Sequence, residues 1–186
     1  MRKALLLIGV ILSLSYVVAS KATNKDMVQL NYSESDSIPP KRTRVYIQPD
    51  TFPTNDGLLK VTLVGHGSLM FEYGDKIIHV DPYSKVANYS KLPKADLIIL
   101  THEHSDHLDK DAIAMLKKDD TQFIVSKVCN EIMGYGDIIT NKGRTSFANI
   151  SIDAVPAYNR EHRNSEGLHY HPKGRGNGYI FTFSNL

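Results

Sequence analysis

Three short apolar runs in quick succession constrain this chain more than any other feature. In "LLKVTLVGHGSLMFEYGDKIIHVDPY" they cover residues 59–64, 69–73 and 76–80, with Gly65 and Gly67, then Gly74 and Asp75, between them. Runs this short are strands rather than helices, and tight glycine-containing connections join antiparallel neighbours. A meander of antiparallel strands is therefore expected. "ADLIILT" follows, an apolar run without alternation, as a strand covered on both faces requires. "DKDAIAMLKK" then has acidic residues at its start, lysines at its end and Ile113, Met115 and Leu116 between them, which suits a helix and its dipole. "QFIVS" reads as a strand, "KVCNEIMGYG" as a short helix ending at glycine, and "NISIDAVPA" and "GNGYIFTFSNL" as two further strands. Strands first as a meander, then alternating with helices, predict a layered α/β domain over residues 58–186 with the helices outside. "FTFSNL" reads as the first arm of a hairpin.

The N-terminal residues belong to a different regime. Arg2 and Lys3 precede "ALLLIGVILSLSYVVAS", and small residues at Ala19 and Ala22 offer cleavage points. This predicts a signal peptide over residues 1–20, or an uncleaved anchor, and hence export to the periplasm or extracellular space. Residues 21–57 are rich in Ser, Asp, Asn, Lys and Pro and are expected to be a largely disordered polar tether, with one short edge strand at 45–47. The formal net charge of +2 gives no electrostatic footprint for nucleic acid, and membrane contact is expected only through an uncleaved N-terminal segment. Cys129 is the only cysteine, which rules out disulfides within the chain and any cysteine-built zinc site. On the inner side of its short helix it is expected to serve packing.

The chemistry concentrates in "LIILTHEHSDHLD". His102, His104 and His107, with Asp106 beside the last, come directly after a buried strand, where open α/β sheets keep their sites. Alternate residues His102 and His104 point the same way while the chain is extended, so both rings can reach one ion. Asp106 and His107, where the loop turns into the helix, can face a second ion. Imidazole and carboxylate suit zinc, with manganese or iron as alternatives. A single loop histidine is ordinarily a surface residue or a satisfied hydrogen-bonder; three within six positions, beside a carboxylate, are not explained by burial. Glu103 and Ser105 alternate away from the ligands. In "HPKGRGNG", Lys173 and Arg175 between glycines can accept a phosphate or form a flexible basic loop.

"THEHSDHLD" resembles the HxHxDH signature of the metallo-β-lactamase superfamily. "LVGHGSLMFEYGDKIIHVDPY", "VPAYN" and "HPKGRGNGYIF" are similar to the branch of metal-dependent hydrolases that includes ascorbate-phosphate lactonases and N-acylphosphatidylethanolamine phospholipases. The resemblance implies an αββα sandwich, C-terminally incomplete in this chain, with two divalent metal ions and a hydrolytic reaction. It makes His102 and His104 ligands of the first ion, and Asp106 and His107 ligands of the second. Asp106 would also orient the attacking water, as the catalytic residue. Asp81 would lie beneath the site. His66, at a turn near the mouth, would touch substrate, with an exposed turn histidine as the alternative. The family's third histidine for the first ion has Asn159 near its place here. His162, His169 and His171 lie just beyond; His171 is the best substitute because Pro172 restricts its backbone. A bridging aspartate and a last histidine would come after Leu186. The expected reaction is attack by metal-bound hydroxide on an ester, lactone, amide or phosphodiester bond of a small-molecule or lipid-like substrate. The competing expectation is a non-catalytic metal-binding or degenerate fragment of the same fold.

Overall fold

The computed structural model describes residues 6–11, 14–18, 48–184 and 186. Two strands come from the N-terminal apolar run, β1 (Leu6–Ile11) and β2 (Leu14–Val18). Next come β3 (Asp50–Thr54), β4 (Gly57–Gly65), β5 (Ser68–Tyr73) and β6 (Lys76–Val80). A 3-10 turn at Tyr89–Lys91 leads to β7 (Leu97–Leu100), α1 (Lys110–Leu116), β8 (Gln122–Val125) and α2 (Lys127–Met133). The remaining strands are β9 (Asp137–Ile138), β10 (Arg144–Phe147), β11 (Ile150–Ala157) and β12 (Gly176–Phe183).

Two sheets face each other. One runs β3-β4-β5-β6-β7-β8-β9, antiparallel through the expected meander and parallel from β6 onward; the other runs β10-β11-β12-β1-β2. The apolar strand β7 shows why the core has two compartments. Leu97 and Ile99 pack between the sheets with Phe71, Ile152, Phe181 and Phe183. Ile98 and Leu100 pack on the opposite face against Ile113 and Leu116 of α1 and Cys129 of α2. Successive strand residues point to opposite faces, so a run apolar at every position needs cover on both. The described residues thus form three layers of the expected sandwich: helices, sheet, sheet.

Local chemistry sets the element ends. Asp109 caps α1, its carboxylate accepting from the backbone N–H groups of Asp111 and Ala112, and Ser126 caps α2 by accepting from Cys129 N–H. Gly134 ends α2 in the left-handed region at φ 78°.

The sheet begins earlier than the expected domain boundary at residue 58: Asp50–Thr54 pairs with β4 as an edge strand, with Phe52 packed against the core. Residues 21–47 of the expected tether, including the edge strand at 45–47, lie outside the described residues.

Candidate metal centre

Each candidate side chain is aimed by a strand end. The β4–β5 turn puts His66 at φ 54°, and Asp81 directly follows β6 at φ 45°; both are left-handed positions uncommon for residues with a side chain. Asp81 still extends the parallel ladder, its N–H donating to Ile99 O at 3.0 Å. After β7, the carbonyl of His104 accepts from both His107 N–H (2.9 Å) and Leu108 N–H (2.7 Å). This turn brings the His107 ring to 4.0 Å from the His102 ring, centroid to centroid.

A hydrogen-bonded chain beneath the site decides which ring nitrogens are free. Asp81 accepts from Thr101 N–H (2.8 Å), from the Thr101 hydroxyl (2.6 Å) and from His107 Nδ1–H (2.7 Å). With its proton committed to Asp81, Thr101 Oγ1 can only accept at its 2.8 Å contact with His102 Nδ1. His102 therefore carries its proton on Nδ1 and presents a bare Nε2; His107 likewise turns Nε2 away from Asp81. One buried carboxylate orients two histidines, one directly and one through a hydroxyl.

His171 arrives from the other sheet. Asn177 at the start of β12 donates its N–H to Thr101 O at 3.0 Å, and Gly176 lies against His102, so the loop before β12 is laid over the histidines. Asn159 Oδ1 accepts from the backbone N–H of His171 at 3.0 Å, which identifies that atom as oxygen, since an amide nitrogen could not accept there. The same oxygen is 2.7 Å from His171 Nδ1, so Nδ1 donates and Nε2 is bare. The Nε2 atoms of His102 and His171 then face each other at 3.2 Å. Two lone pairs at that distance repel, and a cation between the rings relieves the repulsion.

Among the described residues, ligand atoms within 4.8 Å of one another occur in three groups: His102, His104 and His171; His66, Asp106 and His107; and Asp81, His102 and His107. In the third, Asp81 already accepts from one donor on Oδ1 and two on Oδ2 and acts as support. The first two are donor sets that a divalent cation fits. In the second, His66 Nε2 is 2.8 Å and His107 Nε2 3.9 Å from Asp106 Oδ2.

The electrostatics separate these groups. Burial pushes His102 down to about 2, reinforced by His107, His104 and His171, so its ring is neutral and available as a ligand. Burial followed by the neighbouring His104 and His107 also lowers His171. Burial alone would lower His107, but the Asp81 hydrogen bond and charge outweigh it and leave it above the ordinary value. Burial works to raise Asp106, and the charge of His107 with the His66 hydrogen bond outweighs it, so the carboxylate is ionised at neutral pH.

The structure brings His102, His104, Asp106, His107, His66 and Asp81 together. His171 joins them, whereas Asn159 stands behind His171 rather than among the converging donors. His162 and His169 lie apart, bonded to each other through His169 Nδ1 and His162 O. Arg175 ion-pairs with Glu103, and Lys173 lies over the Tyr158 ring. Sequence reasoning passed over Thr101, whose only signal was its place directly before the first histidine.

A family model described as "Beta-lactamase superfamily domain" matches residues 60–186. A UPF0173 metal-dependent hydrolase of Thermococcus kodakarensis is 30% identical over 141 residues, covering 69% of this chain and 58% of its own length. Another, from Flavobacterium johnsoniae, is 42% identical over 83 residues, 41% of this chain and 35% of that protein. A crystal structure of a protein assigned as a metal-dependent hydrolase, from Parabacteroides distasonis, superposes with a TM-score of 0.71 at 43% sequence identity, covering 76% of this chain and 64% of that one. The chain spans 58% of the length of the Thermococcus kodakarensis relative. The family match begins inside β4 and runs through every strand end that aims a histidine, so the chain belongs to the beta-lactamase superfamily, with the metallo-β-lactamase fold.

Proposed function

We propose that the protein is a hydrolase of an ester, lactone, amide or phosphodiester bond that works with two divalent ions, zinc in the first instance and manganese or iron as alternatives. His102, His104 and His171 would hold the first ion; Asp106 and His107, with His66 beside them, would hold the second. The observation that carries this reading is the pair of bare Nε2 atoms on His102 and His171, 3.2 Å apart. A divalent cation between such ligands acts as a Lewis acid and lowers the pKa of a water molecule toward neutrality.

The chain's own residues supply the rest. The ionised Asp106 accepts a hydrogen bond from the reacting water and holds its proton, while His66 Nε2, 2.8 Å away, fixes the carboxylate's direction. Thr101 keeps His102 in the tautomer that leaves Nε2 bare, and Asp81 holds His107 by Nδ1 so that its Nε2 faces the site. Tyr158, Leu168 and Tyr170, close in sequence to Asn159 and His171, expose apolar side chains, which supports a small-molecule or lipid-like substrate. The family name of the metal-dependent hydrolase relatives supports the reaction class. The basic start and apolar run of residues 1–20 support export. Among the described residues no helix is long and apolar enough to cross a membrane.

The test pairs metal analysis with turnover. Wild-type protein loaded with zinc, manganese or iron is assayed on nitrophenyl esters, lactones and a phosphodiester, beside Asp106→Ala. Two ions per chain, with turnover falling by about 100-fold or more in the variant and an unchanged melting temperature, is the expected result. Retained turnover in Asp106→Ala overturns the assignment. A single loosely held ion and no turnover support the non-catalytic metal-binding reading.

A further inference from the structure

Asn159 stands near the place where the family resemblance puts a third histidine, at the end of β11, yet its carboxamide does not face the converging rings. Its oxygen is spent on one residue of the following loop: it accepts from His171 N–H at 3.0 Å and from His171 Nδ1–H at 2.7 Å. In return Asn159 N–H donates to His171 O at 3.0 Å. Three hydrogen bonds between the same two residues clasp the base of the loop they bracket.

We propose that Asn159 is the positioning residue of the first metal site, holding His171 in one tautomer and one direction so that its Nε2 meets those of His102 and His104. The inference rests on the reading that these three histidines bind a cation.

The loop has little else to aim that ring. Its interior is bonded to itself, through Arg163 Nη1 to Gly167 O at 2.7 Å and Asn164 N–H to Leu168 O at 2.8 Å. Those contacts shape the tip and leave its attitude toward the site open. Among the described residues, two anchors tie the loop to the site: the Asn159–His171 clasp, and the Arg175–Glu103 ion pair just past His171. Only the first touches the imidazole. A ring freed from it would sample several rotamers and both tautomers, and one tautomer puts a proton on the ligating nitrogen. The arrangement parallels His102, whose Nδ1–H is taken by Thr101. Each of these two ligands thus has its own acceptor behind it, and the one behind His171 is supplied by the residue in the displaced histidine's place.

The test uses the full chain, stripped of metal and titrated with zinc and with cobalt(II), read by calorimetry and by the cobalt visible spectrum. Asn159→Ala is expected to weaken binding of the first ion by about 10- to 100-fold and to alter the cobalt band. Asn159→Asp keeps an acceptor oxygen at the same reach and is expected to stay within a few-fold of wild type. His171→Ala should lose at least as much as Asn159→Ala, and the double variant no more than His171→Ala alone, because Asn159 acts only through His171. The melting temperature of the metal-free Asn159→Ala protein reports whether it is folded. Wild-type affinity in folded Asn159→Ala, or additive losses in the double variant, overturns the inference. If His171→Ala itself binds like wild type, the metal site fails together with the clasp; if only Asn159→Ala does, the clasp alone fails.

Discussion

Asp81 accepts a hydrogen bond from His107 Nδ1 at 2.7 Å, and both residues are buried. The contact joins a strand end of the meander to the loop after β7, and it comes with the Thr101 N–H and hydroxyl on the same carboxylate. Asp81→Ala would leave three buried donors without an acceptor. Breaking a buried, hydrogen-bonded charge pair at one partner costs about 3–5 kcal/mol, so urea unfolding of the metal-free protein should show a loss of that order. A loss below about 1 kcal/mol would show that the carboxylate is not what the donors need.

Thr101 gives a sharper test of the same network. Thr101→Val keeps the shape and removes the hydroxyl, so His102 Nδ1–H loses its acceptor and Asp81 one donor. Each buried polar group left without a partner costs about 1–3 kcal/mol. Zinc affinity should also fall, because the His102 tautomer is no longer enforced. Thr101→Ser restores the hydroxyl and is expected to recover most of both losses. Equal behaviour of Val and Ser, by unfolding and by calorimetric titration, would remove Thr101 from the account.

How much of this was legible depends on whether the signal was local. Strand β7 and its histidines could be read because a run apolar at every position demands cover on both faces, and Leu97–Leu100 received it. Helix α1 could be read from its acidic start and apolar positions, with Asp109 as the cap, although the expected lysines fall just past its last turn. Strands β3, β9 and β10 could not. "DTFPT" is a polar edge strand carrying a proline, β9 is two residues borrowed from the β8 ladder, and "RTSF" has one buried side chain. They exist because a neighbouring strand offers its hydrogen bonds, not because of their own periodicity. The same limit applied within the site. Pro172 favoured His171 over His162 and His169, but only the approach of β12 to His102 brings it into the cluster. The tasks of Thr101 and Asn159 are hydrogen bonds to residues far along the chain or across a loop, which no spacing announces.

That approach is itself testable at Gly176. A Cβ placed there would lie 3.1 Å from His102 Cβ and 3.5 Å from Thr101 O. The second is an ordinary contact, but the first makes His102 Cβ give way and carries its ring with it, so Gly176→Ala should cost about 1–3 kcal/mol by overpacking and weaken zinc binding together with stability. Gly178→Ala, two residues on, meets chiefly the side chain of Val155 and serves as the control. It is expected to leave zinc affinity unchanged. Equal zinc affinities in the two variants would show that β12 does not press on the histidine.

His79 lies on β6 outside the ligand cluster and gives the fold a pH dependence of its own. Its Nε2 is 3.0 Å from Pro93 O, and a carbonyl only accepts, so Nε2 carries the proton; Nδ1 is buried without a hydrogen-bond partner among the described residues. Burial pulls its pKa from the ordinary 6.5 down to about 4, against a smaller upward pull from Pro93. The unfolded chain therefore takes up a proton near 6.5, whereas the folded chain resists until about 4. Stability from this group is complete above the unfolded value and is lost as pH falls through that window, because there the unfolded state binds more protons. At 1.36 kcal/mol per unit, the full loss is roughly 3 kcal/mol. His79→Leu removes the titration, so its unfolding free energy should fall less steeply than that of wild type between about pH 6.5 and about pH 4.5. The difference in slope should approach one proton. Parallel slopes would mean that His79 is not held neutral in the fold.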